Sequence, residues 1–282
     1  MTSLRIRLSF TCQTAGVALM LSAMAVTTSA QTFTWDFGGV DNNWSTDGNW
    51  SPSPGAGGPD GAGVEVILDN TSSSTTITLD SDRTVGTVSI DDSDNYSLSG
   101  NTLTLDASSG SAAITIGNTN GNGAHTISSN LALADDLVIT NNATGTFTAS
   151  GIISGSNNLI KAGTGTVTFS GASTYSGTTT VSEGQLSLVD GAQSALSNSA
   201  VTVSSGATLM LEDFETFTLG SLAGGGTIDI SDGVLETGGD NTSTTFSGSL
   251  DGDSFSIVGK QGSGTWTLTG SSGWPSRGPA CS

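Results

Sequence analysis

Acid–base, nucleophilic and metal chemistry all require histidine, cysteine, acidic or basic side chains to converge, and this sequence offers few such groups. His125 is the only histidine among 282 residues, so a Ser-His-Asp constellation would have to be built on it. It stands in GNGAHTISS, beside glycines and without a nucleophile elbow, and reads as an ordinary surface or turn histidine. The two cysteines are Cys12 and Cys281. With a single histidine they do not make up a closed zinc site, which needs several such ligands.

Carboxylates are plentiful, at 25 acidic residues against 6 basic ones. They gather in Asp91-Asp92-Ser93-Asp94, Asp135-Asp136 and Glu212-Asp213, which read as solvated turns rather than calcium loops. The stretch GGGTIDISD, from Gly224 to Asp232, is similar to a calcium-binding nonapeptide, but Thr227 stands where that pattern has a glycine and the spacing does not recur. A polysaccharide lyase or hydrolase would need clustered carboxylates, or carboxylates with calcium and a basic residue, in one groove. Lys161 and Lys260 are repeat positions, and Arg277 lies in an atypical tail. That leaves Arg83, in LDSDRTVG, which reads as a charge-paired strand edge. The sequence therefore predicts no catalytic residue, no cofactor and no metal, with a polysaccharide-degrading β-helix as the enzyme alternative.

Trp35, Trp44 and Trp50 are three of five tryptophans and lie close together in TFTWDFGGVDNNWSTDGNWSPSPGAGGPD. Indole faces stack well on sugar rings, so the triad has one reading as a glycan platform. The preferred reading is a plug at the open end of a hydrophobic core, because terminal units of a repeat array need atypical caps.

The elements that would position these residues come next. Residues Met1 to Ala30 carry a basic start (Arg5, Arg7), an apolar run from Ala15 to Val26 and small residues at Thr28-Ser29-Ala30. This is the layout of a signal peptide cleaved near Ala30, leaving Gln31 first, and the run is too short for a membrane span. Removing two arginines leaves a net charge of 4 − 25 = −21, which argues against nucleic acid and against anionic lipid surfaces. Direct membrane insertion is not expected, and the mature chain has one thiol and no internal disulfide.

From Val64 onward, short apolar bursts alternate with polar residues and are separated by Gly, Ser, Asn and Asp, without any helix-length pattern. Period-2 alternation at this density predicts an all-β fold. Expected strands include Val64 to Leu68, Val85 to Ile90, Leu137 to Ile139, Val167 to Phe169, Gln185 to Leu188, Leu209 to Leu211, Ile228 to Ile230 and Trp266 to Leu268. Thr245 to Gly270 lies over Thr146 to Gly171 at a constant offset of 99 residues. Under it Thr146, Phe147, Lys161, Gly163, Gly165, Thr166, Thr168 and Gly171 all meet identical residues. Repetition favours a coil of stacked rungs over a sandwich.

The stretch NLIKAGTGTVTFSGASTYSGTTTVSEGQLSL, Asn158 to Leu188, resembles the autotransporter-associated β-strand repeat. That repeat occurs in exported passenger regions of Gram-negative surface proteins, verrucomicrobial and planctomycete ones included. The tryptophan pattern from Trp35 to Ser51 resembles the opening of mature proteins in the same family. The resemblance implies a right-handed parallel β-helix, or β-solenoid, secreted or displayed on the outer-membrane surface, with a structural or adhesive role. Extracellular glycans or cell surfaces would be its partners, and the chain is expected to be a monomer. The expected organisation is leader 1–30, Trp-rich cap 31–63, solenoid 64–270 with repeats at 146–188 and, in part, 245–270, then an irregular tail 271–282. The tail SSGWPSRGPACS breaks the repeat with Pro275 and Pro279, and is read as the mark of a truncated or frame-shifted product. Stacked aspartates on neighbouring rungs should repel at low ionic strength.

Overall fold

The computed structural model describes residues 30–55, 57–69, 76–117, 123–189, 191–192, 194–212, 215–230, 233–253 and 255–273. The expected leader up to residue 29 and the tail from residue 274 lie outside them. Within them the chain winds as a coil of short strands. Glu65–Leu68 forms one side, Thr76–Leu79 a second and Arg83–Val85 a third. Thr87–Ile90 then stacks in parallel on Glu65–Leu68, with Val66 opposite Val88. Repetition of this step builds a 12-stranded sheet, a 9-stranded sheet and a third side divided into 4-stranded and 3-stranded sheets. This is a parallel β-solenoid: all-β as the alternation predicts, and a coil of stacked rungs as the repetition predicts.

Coil length follows from the register. Glu65 to Thr87 spans 87 − 65 = 22 residues, Thr87 to Ala113 spans 26, and Leu159 to Thr179 spans 20. Each strand sends alternate residues inward, so stacking in register lines the interior with columns. One column on the long sheet runs Val66, Val88, Ile114, Ile139, Lys161, Val181, Val203. One on the 9-stranded sheet runs His125, Phe147, Val167, Leu186, Leu209, Ile228, Leu250. Each fully buried aliphatic or aromatic side chain contributes about 1.5–3 kcal/mol. Outward positions such as Thr126, Thr148 and Thr168 are only half-buried, and threonine suits them because it favours strand geometry without adding much apolar surface.

The third side changes character along the axis. Between Phe169 and Thr179, and again between Leu188 and Ala200, it carries no named strand among the described residues. Buried Tyr175, Ala192, Ala195 and Leu196 fill that wall instead. Val85 to Ile90, expected as one strand, is divided at Gly86, because the chain turns a corner there. A Cβ on Gly86 would lie 2.7 Å from the Gly63 Cα. Strands Ser97–Gly100, Ile153–Gly155 and Leu159–Ala162 are additions to the expected set. Ser97–Gly100 and Ile153–Gly155 bury one residue apiece, and period-2 alternation is invisible when only one apolar residue marks it.

At the N-terminal end Thr32–Trp35 stacks in parallel on Glu65–Leu68, and Trp50–Ser51 runs antiparallel outside it. Asn43 bridges Thr78, and the Trp44 N–H donates to the Thr78 carbonyl at 2.8 Å, covering the first strand of the second sheet. The coil therefore starts closed.

Candidate functional site

The tryptophan triad lies inside the molecule. Trp35 and Trp44 are fully buried and Trp50 is 2% exposed. Trp50 sits edge-on to both neighbours, with ring centroids 5.0 Å from Trp35 and 4.7 Å from Trp44. The Trp44 Nε1–H donates to the Pro59 carbonyl and the Trp50 Nε1–H to the Trp44 carbonyl, each at 2.8 Å. Their faces are spent on one another and on the core, so the cluster forms the Trp-rich cap and offers no open indole face to a sugar ring. Around it, short polar loops are tied by Asp41. The Thr46 hydroxyl at 2.6 Å and the Asn43 N–H at 3.1 Å hold the Asp41 carboxyl below its ordinary value.

His125 overturns its surface assignment. It is fully buried, because register places it in the inward column with Phe147 and Val167. Its Nδ1 accepts the Tyr96 N–H at 3.2 Å, which assigns the proton to Nε2, and Nε2 is buried without a partner. Loss of solvation on burial lowers its pKa from the ordinary value, against the pull of Asp92. No nucleophile faces it among the hydrogen bonds of the described residues.

Arg83 pairs with Asp60 at 3.7 Å, and the other Asp60 oxygen accepts the Thr84 N–H at 2.8 Å. The pair anchors the entry loop to the strand edge, as its setting predicts. Asp135 and Asp136 are more than solvated turns. Asp135 accepts the Ala107 N–H and Asp136 the Asn158 N–H, both at 2.8 Å. Asp82, Asn130 and Asn158 likewise accept N–H groups of Thr102, Ile152 and Thr178, 20 to 22 residues onward, at 2.9, 3.1 and 2.9 Å. Much of the acidity thus caps backbone donors at coil corners, where the strand ladder cannot reach them. Asp92 closes its own turn on the Asp94 N–H, and Glu212 accepts from the Ser187 hydroxyl. Asp213, and Ser231 and Asp232 of the nonapeptide-like stretch, lie outside the described residues. Among the described residues no group of three or more His, Cys, Asp or Glu side chains is placed to hold a metal.

The most organised polar feature is one that composition alone does not single out. Lys161 occupies the inward column between Ile139 and Val181 and is fully buried. Its ammonium donates to the carbonyls of Ala162 (3.0 Å), Gly163 (2.7 Å) and Glu183 (2.9 Å). The first two belong to its own corner and the third to the next coil, so one cation ties successive turns together. Desolvation pulls its pKa from 10.5 to about 8, opposed by the Glu183 carboxylate. Lys260 repeats the arrangement at its own corner, bonding the carbonyls of Gln261 and Gly262. The sequence signal for this device is K-x-G-x-G with E-G a coil later.

Beside it runs a buried hydroxyl chain. Tyr175 Oη lies 2.6 Å from Thr179 Oγ1, which lies 2.7 Å from Ser199 Oγ, and Ser199 donates to the Gly177 carbonyl at 2.7 Å. Because that last donor is fixed, the protons run from Tyr175 to Thr179 to Ser199. Burial drives the Tyr175 phenol far above its ordinary value. Both features join coils, and neither opens to a substrate.

Both lysine corners match the passenger-associated-transport-repeat family model, at residues 159–188 and 259–274. No curated protein and no solved structure matches the chain. The first matched segment runs from Leu159–Ala162 through the Lys161 corner, across Thr166–Phe169 and Thr179–Val181, to Gln185–Leu188. It therefore spans one coil and the seam to the next. The repeat and the solenoid together fit an autotransporter passenger domain, and that repeat family points to the extracellular or outer-membrane surface.

Proposed function

We propose that this chain is an exported passenger solenoid that works at the cell exterior as a structural and adhesive surface. The observation that carries the reading is the lysine corner, present twice and matching the passenger repeat at both places. Physical chemistry supports it in three ways. Each coil contacts mainly its neighbours, so a chain delivered unfolded across a membrane can assemble turn by turn. A strongly negative chain resists collapse onto itself and onto anionic envelopes. The outer face carries Thr, Ser and Asn rows that suit polar contact with glycans or cell surfaces over a broad area.

The test is expression with the leader intact in a Gram-negative host. The expected result is processing near Ala30, exposure to added protease on whole cells, and saturable binding to a glycan or cell surface. An unprocessed cytoplasmic product would refute the export reading. Sustained polysaccharide turnover by the purified protein would refute the non-enzymatic one.

A further inference from the structure

The 9-stranded sheet has one weak seam, and the single histidine stands at its mouth. From Ser97 to Thr126 the register advances 126 − 97 = 29 residues, the longest step on that sheet. The step is 21 from Thr76 to Ser97 and 20 from Thr148 to Thr168. Among the described residues, two register pairs join Ser97–Gly100 to His125–Ile127. Four join Thr76–Leu79 to Ser97–Gly100, and three join His125–Ile127 to Phe147–Ala149. A short ladder of this kind is where a native structure opens locally.

Polar ties reinforce the seam. The Thr126 N–H donates to the Tyr96 carbonyl at 2.8 Å and the Ala124 N–H to the Asn95 Oδ1 at 2.7 Å. In return the Tyr96 N–H donates to the His125 Nδ1 at 3.2 Å. That bond needs a lone pair on Nδ1, so it exists only while the imidazole is neutral. Nδ1 is also the atom that an incoming proton must take, because Nε2 already carries one. Protonation turns the acceptor into a donor that faces the Tyr96 N–H. It also leaves a cation in an inward column between Tyr96 and Phe147, which are 2% and 0% exposed.

We propose that this seam is an acid-released latch: a proton on His125 Nδ1 ends the bond from Tyr96 and opens the pairing of Ser97–Gly100 with His125–Ile127, while the remaining coils stay wound. The surrounding charges direct the release. The turn on the preceding coil carries Asp91, Asp92 and Asp94. The following coil over 143–149 carries no charged side chain, and neither do Leu103–Leu105, Ala112–Ile116, Leu131–Leu133 and Leu137–Asn141 on the other two sides. A cation here finds its counter-charge only by leaving the column towards the aspartate turn. Burial lowers the His125 pKa against the pull of Asp92, so the latch is closed at neutral pH. One proton is taken up on opening. Opening therefore becomes about tenfold more favourable per pH unit below the free-imidazole value of about 6.5, until the folded value is reached.

The experiment is residue-resolved amide hydrogen exchange of the full chain from pH 7 to pH 5, corrected for the intrinsic pH dependence of exchange. Thr126 and Ser128 donate across the seam, to the carbonyls of Tyr96 and Leu98, and Thr208 and Thr227 donate between remote coils. Protection at Thr126 and Ser128 should fall by about tenfold per pH unit, while Thr208 and Thr227 keep theirs. His125→Gln supplies an oxygen acceptor that does not titrate, so its seam should stay protected throughout. Undiminished protection at Thr126 and Ser128, an equal loss in all four amides, or the same local loss in His125→Gln would each overturn the proposal. The first two outcomes are read on the unsubstituted chain and decide the matter without the variant.

Discussion

Replacing Lys161 by methionine tests the coil-joining corner through its dependence on pH. The side chain is fully buried, and its pKa falls from 10.5 to about 8 on folding because desolvation outweighs its environment. A base with a depressed folded pKa binds fewer protons in the native state than in the unfolded state between the two values. Native stability must therefore rise with pH across that window and fall again as pH drops towards 8. That fall is equivalent to roughly 3 kcal/mol, of which about 2–3 kcal/mol is recovered between pH 7 and pH 10. Methionine fills a similar volume and does not titrate, so subtracting its curve cancels every other ionising group. At pH 7 the exchange relieves the ammonium desolvation but strips a donor from the carbonyls of Ala162, Gly163 and Glu183. Each such loss costs about 1–3 kcal/mol, so the absolute effect at pH 7 is set by near-cancelling terms. The pH-dependent difference is not. Urea denaturation of both proteins from pH 7 to pH 10 should show wild type gaining on Lys161→Met by that amount. Parallel curves would refute the reasoning.

Four further outcomes follow from the packing. The His125 pKa is lowered by burial, so its contribution to stability is complete above about pH 6.5 and is lost as pH falls through the folded value; a His125→Phe variant should show a shallower acid-denaturation profile between pH 7 and pH 4. Trp44→Ala should cost about 3–5 kcal/mol, read as a lower urea midpoint, because it opens a cavity in the cap. Adjacent glycines should behave oppositely: a Cβ on Gly226 would lie 2.6 Å from the Val203 Cγ1 and the Ala207 oxygen, whereas on Gly225 it would meet nothing closer than 3.3 Å. Gly226→Ala is therefore expected to cost about 1–3 kcal/mol and Gly225→Ala within about 0.5 kcal/mol, both measured by thermal unfolding. Asp229 stands directly opposite Asp251 on the next coil, so the melting temperature should rise from low to physiological salt and lose that dependence in Asp251→Asn.

The lysine corners also explain the internal repeat. At the 99-residue offset the shared glycines do the same work. Gly163 and Gly262 both adopt positive φ, 76° and 64°. Gly165 and Gly264 both sit where a Cβ would collide with a carbonyl oxygen of the preceding coil, those of Ala143 and Thr242. Gly171 and Gly270 do likewise against Gly151 and Gly248. Glycine is required at these points because backbone approaches backbone, and a repeat of glycines in sequence is the trace of that approach.

Local sequence by itself determined the strand period, the all-β class and the capping of one end by tryptophan. Those properties depend on residues within one coil, where alternation and turn geometry are decided by neighbours. Tertiary structure alone decided which side of the coil each segment joins. Thr146 and Phe147 lead into the 9-stranded sheet, while their repeat partners Thr245 and Phe246 lie in the 12-stranded one. The same motif thus turns a corner at two different places on the triangle, because coil lengths that vary between 19 and 29 residues shift the phase between motif and section. Burial of His125 and Lys161 was hidden for the same reason. Each holds an inward slot only once the coils above and below have set its register.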